Sequence, residues 1–217
     1  MSLLNRRPIS IGREQREFRD DRVFVVATDD TFAPKQYFKH LALRRVRVVV
    51  LSTPAERGES APTHVVERLK AAYDIYAAKK QIQKGDEFWI FLDRDHHFKG
   101  THTPQTLEVL RVGKTAGFEV AISNPCFELW LLLHHEEVSP DADLDNCASV
   151  ESSLRARLGS YNKTNILPGQ FPLDLVETAI RRARALEKSP DSPTSLLPLP
   201  IGTRVYRLLE KILSPAL

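Results

Sequence analysis

Between residues 22 and 138, short continuous runs of apolar residues alternate with longer segments that have helical spacing. This alternation restricts the fold more than any other feature of the chain. The first run, RVFVVAT, is rich in β-branched residues and has no polar face, which is typical of a strand covered on both sides. Strands that alternate with helices indicate a parallel sheet with right-handed crossovers. The sequence therefore predicts an α/β fold in this region.

Four strands and four helices are predicted in this region. The strands cover residues 22–28, 45–51, 87–93 and 118–124. The helices cover residues 34–43, 63–82, 103–117 and 125–137. Pro34 suits the first turn of the first helix, and Gly117 is predicted to end the third.

The pattern changes after residue 138. The later segments predicted to be helical are 149–159, 173–189 and 202–213. We therefore divide the chain into a flexible basic arm over residues 1–20, an α/β domain over 21–138, and a helical C-terminal extension over 139–217 that packs on the sheet. A chain of 217 residues is long enough to bury the core of such a unit.

Composition and targeting signals favour a soluble, cytoplasmic protein with no membrane partner. The net charge of +3 indicates only a mild preference for anionic partners. Cys126 and Cys147 have no spacing typical of a metal site or a disulfide framework, which suits a reducing compartment. The N-terminus lacks the apolar region of a signal peptide, and no apolar run approaches the ~20 residues needed to cross a membrane.

Acidic residues follow two of the predicted strands. Asp93 and Asp95 flank Arg94 at the end of the third strand, and Asp29 and Asp30 follow the first. Parallel strands bring their carboxyl ends to one edge, where ligands bind in open α/β sheets. Several carboxylates at that edge would repel each other unless a cation lies between them. Mg²⁺ and Mn²⁺ prefer such ligands and bind phosphates alongside.

The spacing of Asp93 and Asp95 favours a shared ion if the backbone is extended, since residues i and i+2 then point to the same side. The alternative is a polar strand end or a helix cap. Asp29 and Asp30 carry the same alternative, because either of them can cap the helix that begins near Pro34.

Further candidates lie around the fourth strand. Ser123 and Asn124 end that strand, next to the acidic edge. Glu128 lies in the apolar helix that follows, where an unpaired carboxylate is costly. It therefore either joins the site or pairs with a base such as Arg94.

Histidines cluster near these carboxylates. Asp93, Asp95, His97 and His102 offer zinc ligands, but no HExxH motif or Cys/His pair spacing is present. Histidines beside an acidic site more often orient neighbours or transfer protons. We therefore place His97 and His134 around the site, with a satisfied histidine at a helix end as the alternative for His134.

Basic residues downstream are candidate phosphate contacts. Lys163 lies in SYNKT, and Arg181 and Arg182 lie in RRAR, although basic residues on a helix usually form a solvated face. There is no Walker loop and no GxGxxG motif, which excludes the common ATP- and NAD-binding loops. Cys126 has apolar neighbours in the sequence, which is typical of an inert thiol.

The chain resembles the RloB-like family of prokaryotic defence-associated proteins. The resemblance is carried by VFVVATDDTFAPKQYFKHL, FWIFLDRD, VAISNPCFELWLLLHH, YNKT, and the stretch from AIRRARALE to PIGTRVYRLLEKIL. It covers about residues 22–213, and SNPCFELWLLLH is its most specific part. The family is similar to the Toprim fold of topoisomerases, primases and OLD-type nucleases. In that fold, a glutamate after the first strand is the acid/base and an Asp-x-Asp after the third strand binds metal.

The resemblance implies a Toprim-like nuclease that acts on DNA or RNA in phage defence. Asp93 and Asp95 would bind Mg²⁺ or Mn²⁺, while Asp29, Asp30 and Glu128 would complete the shell, orient it or transfer protons. Relatives are usually encoded near restriction systems, beside an RloA-like ATPase partner. The oligomeric state stays open, with a homodimer among the options.

The sequence departs from the family pattern at the first strand. A CEG...TEP.YF-like stretch is usual there, whereas this chain has ATDDTFAP.QYF. Asp29 replaces the glutamate and Asp30 the glycine. An aspartate is one methylene shorter, and a displacement of about 1 Å can cost about 10²-fold in rate. Two hypotheses follow: a metal-dependent nuclease, or a catalytically degraded Toprim-like subunit that binds or regulates.

Overall fold

The computed structural model describes residues 19–56, 58–98, 102–187 and 201–214, without the side chains of Asp95, His96 and His102. The flexible arm predicted for residues 1–20 lies outside this description except for its last two residues. Arg19 forms an ion pair with the buried side chain of Asp86 at 2.5 Å, so the chain is anchored from this residue onward.

Five strands form one sheet in the order β2-β1-β3-β4-β5. They are β1 (Arg22–Thr28), β2 (Val46–Leu51), β3 (Glu87–Asp93), β4 (Glu119–Asn124) and β5 (Gly202–Thr203). The first four strands are parallel, and β5 pairs antiparallel with β4. The predicted α/β fold with a mostly parallel sheet is confirmed.

The helices cover both faces of this sheet. They are α1 (Ala33–His40), α2 (Pro62–Ala78), α3 (Arg94–His97), α4 (His102–Thr115), α5 (Glu128–Leu132), α6 (Cys147–Leu158), α7 (Val176–Glu187) and α8 (Val205–Leu213). Gly117 follows α4 with a φ of 87°, a conformation that ends a helix and that glycine adopts without strain. No helix in the described part of the chain is long and apolar enough to cross a membrane.

The sheet separates two hydrophobic cores, and alternate residues of β1 contribute to each. Phe24 and Val26 join one core, which also contains residues of α1 and of α5 to α8. Val23 and Val25 join the other, which is covered by α2 and α4. Burial on both faces explains why the strand sequences are continuous apolar runs. The C-terminal helices share the first core with the sheet.

The C-terminal portion is not entirely helical, which corrects the prediction for residues 202–213. Gly202 and Thr203 form β5, whose pairing with Asn124 and Ser123 extends the sheet beyond β4. Glycine is a poor helix former, and the open edge of β4 offers hydrogen-bond partners instead. The helix α8 begins only at Val205.

Candidate metal centre

The carboxyl ends of the parallel strands meet at one edge of the sheet, and a cavity of about 250 Å³ opens there. We call this cavity the acidic pocket. Its polar lining consists of Asp29, Asp30, Thr31, Ser60, Asp93, His97, Glu128, Cys147 and Lys163. Carboxylates that are distant in sequence come together because parallel strands end at the same edge.

Asp29 is buried directly after β1 and links two segments of the pocket. Its Oδ2 accepts a hydrogen bond from the backbone N–H of Asp93 at 3.0 Å. The same oxygen lies 2.9 Å from Nε2 of His97 in α3. Burial raises the pKa of Asp29 above its ordinary value, although the contact with His97 opposes the rise. Asp29 therefore positions both the end of β3 and the imidazole of His97.

Asp30 closes the turn that leads into α1. Its Oδ1 accepts hydrogen bonds from the backbone N–H groups of Phe32 and Ala33. Such bonds are typical of an aspartate turn before a helix, so the alternative of a cap applies to Asp30 and not to Asp29. Asp30 also lines the pocket, and its charge helps to raise the pKa values of Asp93 and Glu128.

Asp93 is the last residue of β3 and is buried in the pocket. Its carboxylate lies near those of Asp29 and Glu128. Burial raises the pKa of Asp93 well above its ordinary value, and the charges of Asp29 and Glu128 raise it further. Because a buried charge beside like charges is costly, the surroundings of Asp93 suit a cation.

The second carboxylate of the Asp-x-Asp pair is arranged differently from the prediction. The helix α3 begins at Arg94, directly after β3, so Asp95 lies in a helical turn and not on an extended segment. A backbone hydrogen bond from Phe98 to Arg94 closes this turn, and Phe98 is buried in the core. The extended backbone on which the expectation of a shared ion depended is therefore not present at Asp95. The side chain of Asp95 lies outside the described residues, and its role as a ligand stays a prediction.

Glu128 begins α5 and is only 2% exposed. Its Oε1 accepts a hydrogen bond from the hydroxyl of Tyr161 at 3.2 Å. Its hydrogen-bond partners are thus Tyr161 and Cys126 and not Arg94, and its side chain lines the pocket. Burial raises the pKa of Glu128, the charge of Asp30 adds to this, and Lys163 is among the groups that oppose it.

Both cysteines contribute to the same centre. One ligand atom each from Asp93, Cys126, Glu128 and Cys147 lies within 4.8 Å of the other three. The four residues form a possible metal-binding cluster. Burial raises the pKa of the Cys126 thiol well above its ordinary value, and so do its contact with Cys147 and the nearby carboxylates. The sequence analysis missed this cluster, because the start of α6 reaches α5 by tertiary packing and no spacing in the sequence records it.

Lys163 is the predicted phosphate contact that reaches the pocket. Its Nζ lies 3.9 Å from a carboxylate oxygen of Glu151. Burial works to lower the pKa of Lys163, but the charges of Glu128 and Asp30 outweigh it and the pKa is raised. Of the described residues that line the pocket, Lys163 is the one with a permanent positive charge.

The predicted contacts on α7 lie elsewhere. Arg181 is exposed and does not line the pocket. Arg182 donates a hydrogen bond from Nη1 to the backbone oxygen of Leu133 at 2.8 Å, just beyond α5. Arg182 thus caps the end of a helix whose first residue, Glu128, belongs to the pocket.

The remaining predicted residues have structural partners outside the pocket. The hydroxyl of Ser123 lies 2.8 Å from that of Thr203, and Asn124 pairs with Gly202 across β4 and β5. Neither of these residues of β4 lines the pocket.

His134 is a satisfied core histidine, as the alternative prediction has it. Its Nδ1 donates to the backbone oxygen of Trp130 at 2.9 Å. Its Nε2 lies 3.2 Å from the hydroxyl of Tyr37. Burial lowers the pKa of His134 to about 4, so the ring is neutral at pH 7 and accepts the hydrogen bond of Tyr37.

Arg68 supports the end of β1, and the sequence analysis did not identify it. Its Nη2 donates to the backbone oxygen of Thr28 at 3.0 Å and to the hydroxyl of Thr53 at 2.8 Å. The hydroxyl of Thr53 also donates to the oxygen of Thr28 at 3.0 Å. These bonds fix the backbone immediately before Asp29.

Fold and site together define a class: an α/β protein with a candidate metal centre at the carboxyl edge of its parallel strands. The sequence profile of the family described as RloB-like protein matches residues 24–212, which is most of the chain. The chain therefore belongs to the RloB-like family, as the motifs predicted. No curated protein and no solved structure matches it.

Proposed function

We propose that this chain is a divalent-metal-dependent nuclease that hydrolyses phosphodiester bonds in DNA or RNA. One observation carries the proposal: the acidic pocket gathers the buried carboxylates of Asp29, Asp93 and Glu128 with that of Asp30. Lys163 alone does not balance these charges. A divalent cation restores the balance and attracts phosphates to the same place.

Asp93 and Glu128 are the residues to which we assign the ion, Mg²⁺ or Mn²⁺, with Asp95 as a further ligand that the family resemblance implies. The donors fit such an ion, because the carboxylates of Asp93 and Glu128 both line the pocket and carboxylate oxygens suit hard cations. A bound ion of this kind lowers the pKa of a coordinated water and neutralises charge on the phosphate.

Asp29 and His97 form a pair suited to proton transfer. His97 lines the pocket, and its Nε2 lies 2.9 Å from Asp29 Oδ2. A carboxylate in contact with one ring nitrogen fixes the orientation of the imidazole, and an imidazole exchanges protons near neutral pH. In this proposal Asp29 positions the ring and His97 moves the proton. A histidine thus takes the task that a glutamate after the first strand has in the family pattern.

Lys163 is the residue that we assign to the substrate phosphate. It is the one side chain with a permanent positive charge among the described residues that line the pocket. Arg181, which is exposed on α7, is a candidate contact to the nucleic-acid backbone farther away. The half-buried Arg182 serves α5 instead.

The family resemblance supports a role in prokaryotic phage defence. In this proposal the nuclease works with an RloA-like ATPase partner, which controls when the pocket receives nucleic acid. The mildly positive net charge is compatible with an anionic substrate.

A second candidate function is a regulatory subunit that binds metal and nucleic acid without cutting. One observation favours it: Asp29, which stands where the family has its glutamate, is already engaged with the Asp93 backbone and with His97. A carboxylate held in this way is poorly placed to exchange protons with substrate.

The test compares the wild type with Asp93→Asn, which removes one charge and keeps the size of the side chain. Cutting of DNA and of tRNA is measured with Mg²⁺, with Mn²⁺ and with a chelator, and ion binding is followed by calorimetry. Asp143→Asn is the matched control, because Asp143 is exposed and remote from the pocket lining.

We expect metal-dependent cutting that falls at least about 10³-fold in Asp93→Asn, since a bound ion supplies several kcal/mol of stabilisation to such a transition state. Asp143→Asn should behave as the wild type. Undiminished cutting by Asp93→Asn would refute the nuclease proposal. Ion binding without turnover, unchanged when Asp29→Glu restores the family residue, would establish the regulatory subunit instead.

A further inference from the structure

Two thiols stand among the carboxylates of the acidic pocket. The four ligand atoms of the cluster come from the end of β3, from the turn before α5, from the first residue of α5 and from the first residue of α6. They belong to Asp93, Cys126, Glu128 and Cys147, and all lie within 4.8 Å of one another. Two are sulfur and two are oxygen, which is unlike the all-oxygen shell that Mg²⁺ prefers.

The four atoms are close enough together to share a single ion. Zinc bonds are about 2.3 Å to sulfur and 2.0–2.2 Å to carboxylate oxygen, so tetrahedral ligand atoms lie roughly 3.3–3.8 Å apart. The four atoms lie within 4.8 Å of each other, a limit somewhat wider than this shell. Asp93, Glu128 and Cys147 stand at the ends of regular elements, and Cys126 lies in the short connection between β4 and α5.

The cluster brings buried carboxylates and two thiols together at one place in the pocket. Asp93 is buried, and the like charges of Asp29 and Glu128 lie near its carboxylate. Cys126 is fully buried and contacts Cys147, which is the first residue of the twelve-residue helix α6. Packing alone does not require two thiols and two carboxylates to meet in this way.

We propose that the cluster of Asp93, Cys126, Glu128 and Cys147 binds a thiophilic divalent transition-metal ion, Zn²⁺ foremost, in preference to Mg²⁺. Thiolate ligands select zinc over the hard cations. Both thiol protons leave to solvent as the ion enters, so that two thiolates and two carboxylates hold it. The inference rests on the proposed function for the role of the pocket, and it replaces the Mg²⁺ or Mn²⁺ assigned there to Asp93 and Glu128 by Zn²⁺.

Cobalt(II) provides the direct test, because it replaces zinc in tetrahedral sites and its spectrum reports sulfur ligands. The purified chain, freed of metal with a chelator and kept reduced, is titrated with Co²⁺ and then with Zn²⁺. We expect an intense thiolate-to-cobalt charge-transfer band in the near ultraviolet, visible bands of tetrahedral strength, and loss of both when Zn²⁺ displaces Co²⁺. A tenfold excess of Mg²⁺ should not remove them.

Cys147→Ser is the main variant, since Cys147 is only half-buried and the change is small. It should lose most of the charge-transfer band and bind Zn²⁺ at least about 10²-fold more weakly, because even outer-shell changes cost 10–100-fold at metal sites. Cys126→Ser should act in the same direction. Circular dichroism and a thermal melt of each metal-free variant establish that it is folded.

Protection of Cys147 from chemical modification tests the inference on the wild-type protein. Zn²⁺ should protect Cys147 from alkylation by iodoacetamide, as measured by mass spectrometry of the modified peptide, and Mg²⁺ should not. Binding of Mg²⁺ or Mn²⁺ that depends on Asp93, with no cobalt–thiolate band and no protection, would overturn this inference and leave the proposed function standing. Failure of every ion to bind would overturn both.

Discussion

Two parts of this protein hold poorly exposed carboxylates and differ in how far positive partners neutralise them. Around Glu187, at the end of α7, one carboxylate is surrounded by two guanidinium groups and a hydroxyl. In the acidic pocket, four carboxylates share one lysine and a histidine among the described lining residues. The first group is neutralised by its own partners, whereas the second keeps an excess of negative charge among its described lining residues.

Both carboxylate oxygens of Glu187 have hydrogen-bond donors, so this ion cluster is fully paired. Its Oε1 accepts from Arg204 Nε at 2.6 Å and from Arg207 Nη2 at 2.7 Å, and its Oε2 accepts from the hydroxyl of Tyr206. Burial works to raise the pKa of Glu187, but these three partners together lower it below its ordinary value. The cluster joins α7 to α8 and stabilises the fold.

The acidic pocket shows the opposite response to burial. The pKa values of Asp29, Asp93 and Glu128 are all raised, by burial first and then in part by each other or by Asp30. Opposite directions of pKa shift thus separate a structural cluster from a candidate functional one, because functional sites retain unfavourable charge that a ligand relieves.

The largest expected effect concerns His97. It contacts the carboxylate of Asp29, whereas two arginines contact the carboxylate of Glu187. His97→Gln removes a titratable ring and keeps a polar side chain. General acid–base groups contribute about 10²–10⁴-fold, so we expect kcat to fall by that factor while the ion's affinity, measured by calorimetry, is unchanged. His64→Gln, on the exposed surface of α2, is the control. An unchanged kcat in His97→Gln would remove this residue from the reaction.

Glu187→Gln tests the fully paired ion cluster. It leaves two guanidinium groups without a countercharge, and hydrogen bonds to charged groups are worth about 1.5–3 kcal/mol, so the free energy of unfolding should fall by about 2–3 kcal/mol. Metal binding should be unaffected. Urea denaturation measures the change, with the exposed Glu177→Gln on the same helix as the control.

The pH dependence of this contribution has a definite sign. Because the folded-state pKa of Glu187 is lowered, its contribution is present above the ordinary carboxyl pKa of 4.5 and is lost as the pH falls through the folded-state value. The difference between wild type and Glu187→Gln should therefore shrink in acid. A difference that does not depend on pH would show that the ion cluster is not its source.

The fold was predictable where burial leaves little choice. The bounds of β1 and β3 agree with the predicted ranges 22–28 and 87–93, because these strands are covered on both faces and read as uninterrupted apolar runs. β5 was not predicted, since two residues carry no periodic pattern and their partner strand, β4, lies far away in sequence. The turn at α3 was missed for a related reason: the burial of Phe98 that holds it is a tertiary effect.

The site was predictable to the extent that topology determines it. The rule that ligands bind beyond the carboxyl ends of parallel strands was enough to bring Asp29, Asp93 and Glu128 together. It says nothing about Cys147, which enters the pocket on a helix outside the strand-and-helix alternation. The contact between Asp29 and His97 depends on the helical turn after β3, which places His97 near Asp29. No pattern in the sequence predicts this contact.

Asp93→Asn should have the opposite effect on stability to Glu187→Gln. Removal of a buried charge that repels its neighbours should stabilise the metal-free protein by about 1 kcal/mol at pH 8, as is common when a strained functional residue is replaced. The folded-state pKa of Asp93 is raised, so stability in wild type is fully present below the ordinary value of 3.8 and declines as the pH rises toward the folded-state pKa. Thermal melts in chelator from pH 4 to 8 should show this decline, and it should be smaller in Asp93→Asn. Added metal should stabilise only the wild type.

The smallest expected effect concerns Lys163, the pocket's own positive charge. Its side chain is 46% exposed, so its interaction with the carboxylates is screened by solvent and is worth about 0.2–1 kcal/mol. Lys163→Gln should therefore tighten divalent-ion binding by about 1.5- to 5-fold, because the ion no longer meets a like charge, while it weakens nucleic-acid binding. Lys114→Gln, exposed on α4, is the matched control. A Lys163→Gln variant that weakens both ion binding and nucleic-acid binding would contradict this expectation. The lysine would then stabilise the pocket and not compete with the cation. Its role would be the same as that of the arginines around Glu187.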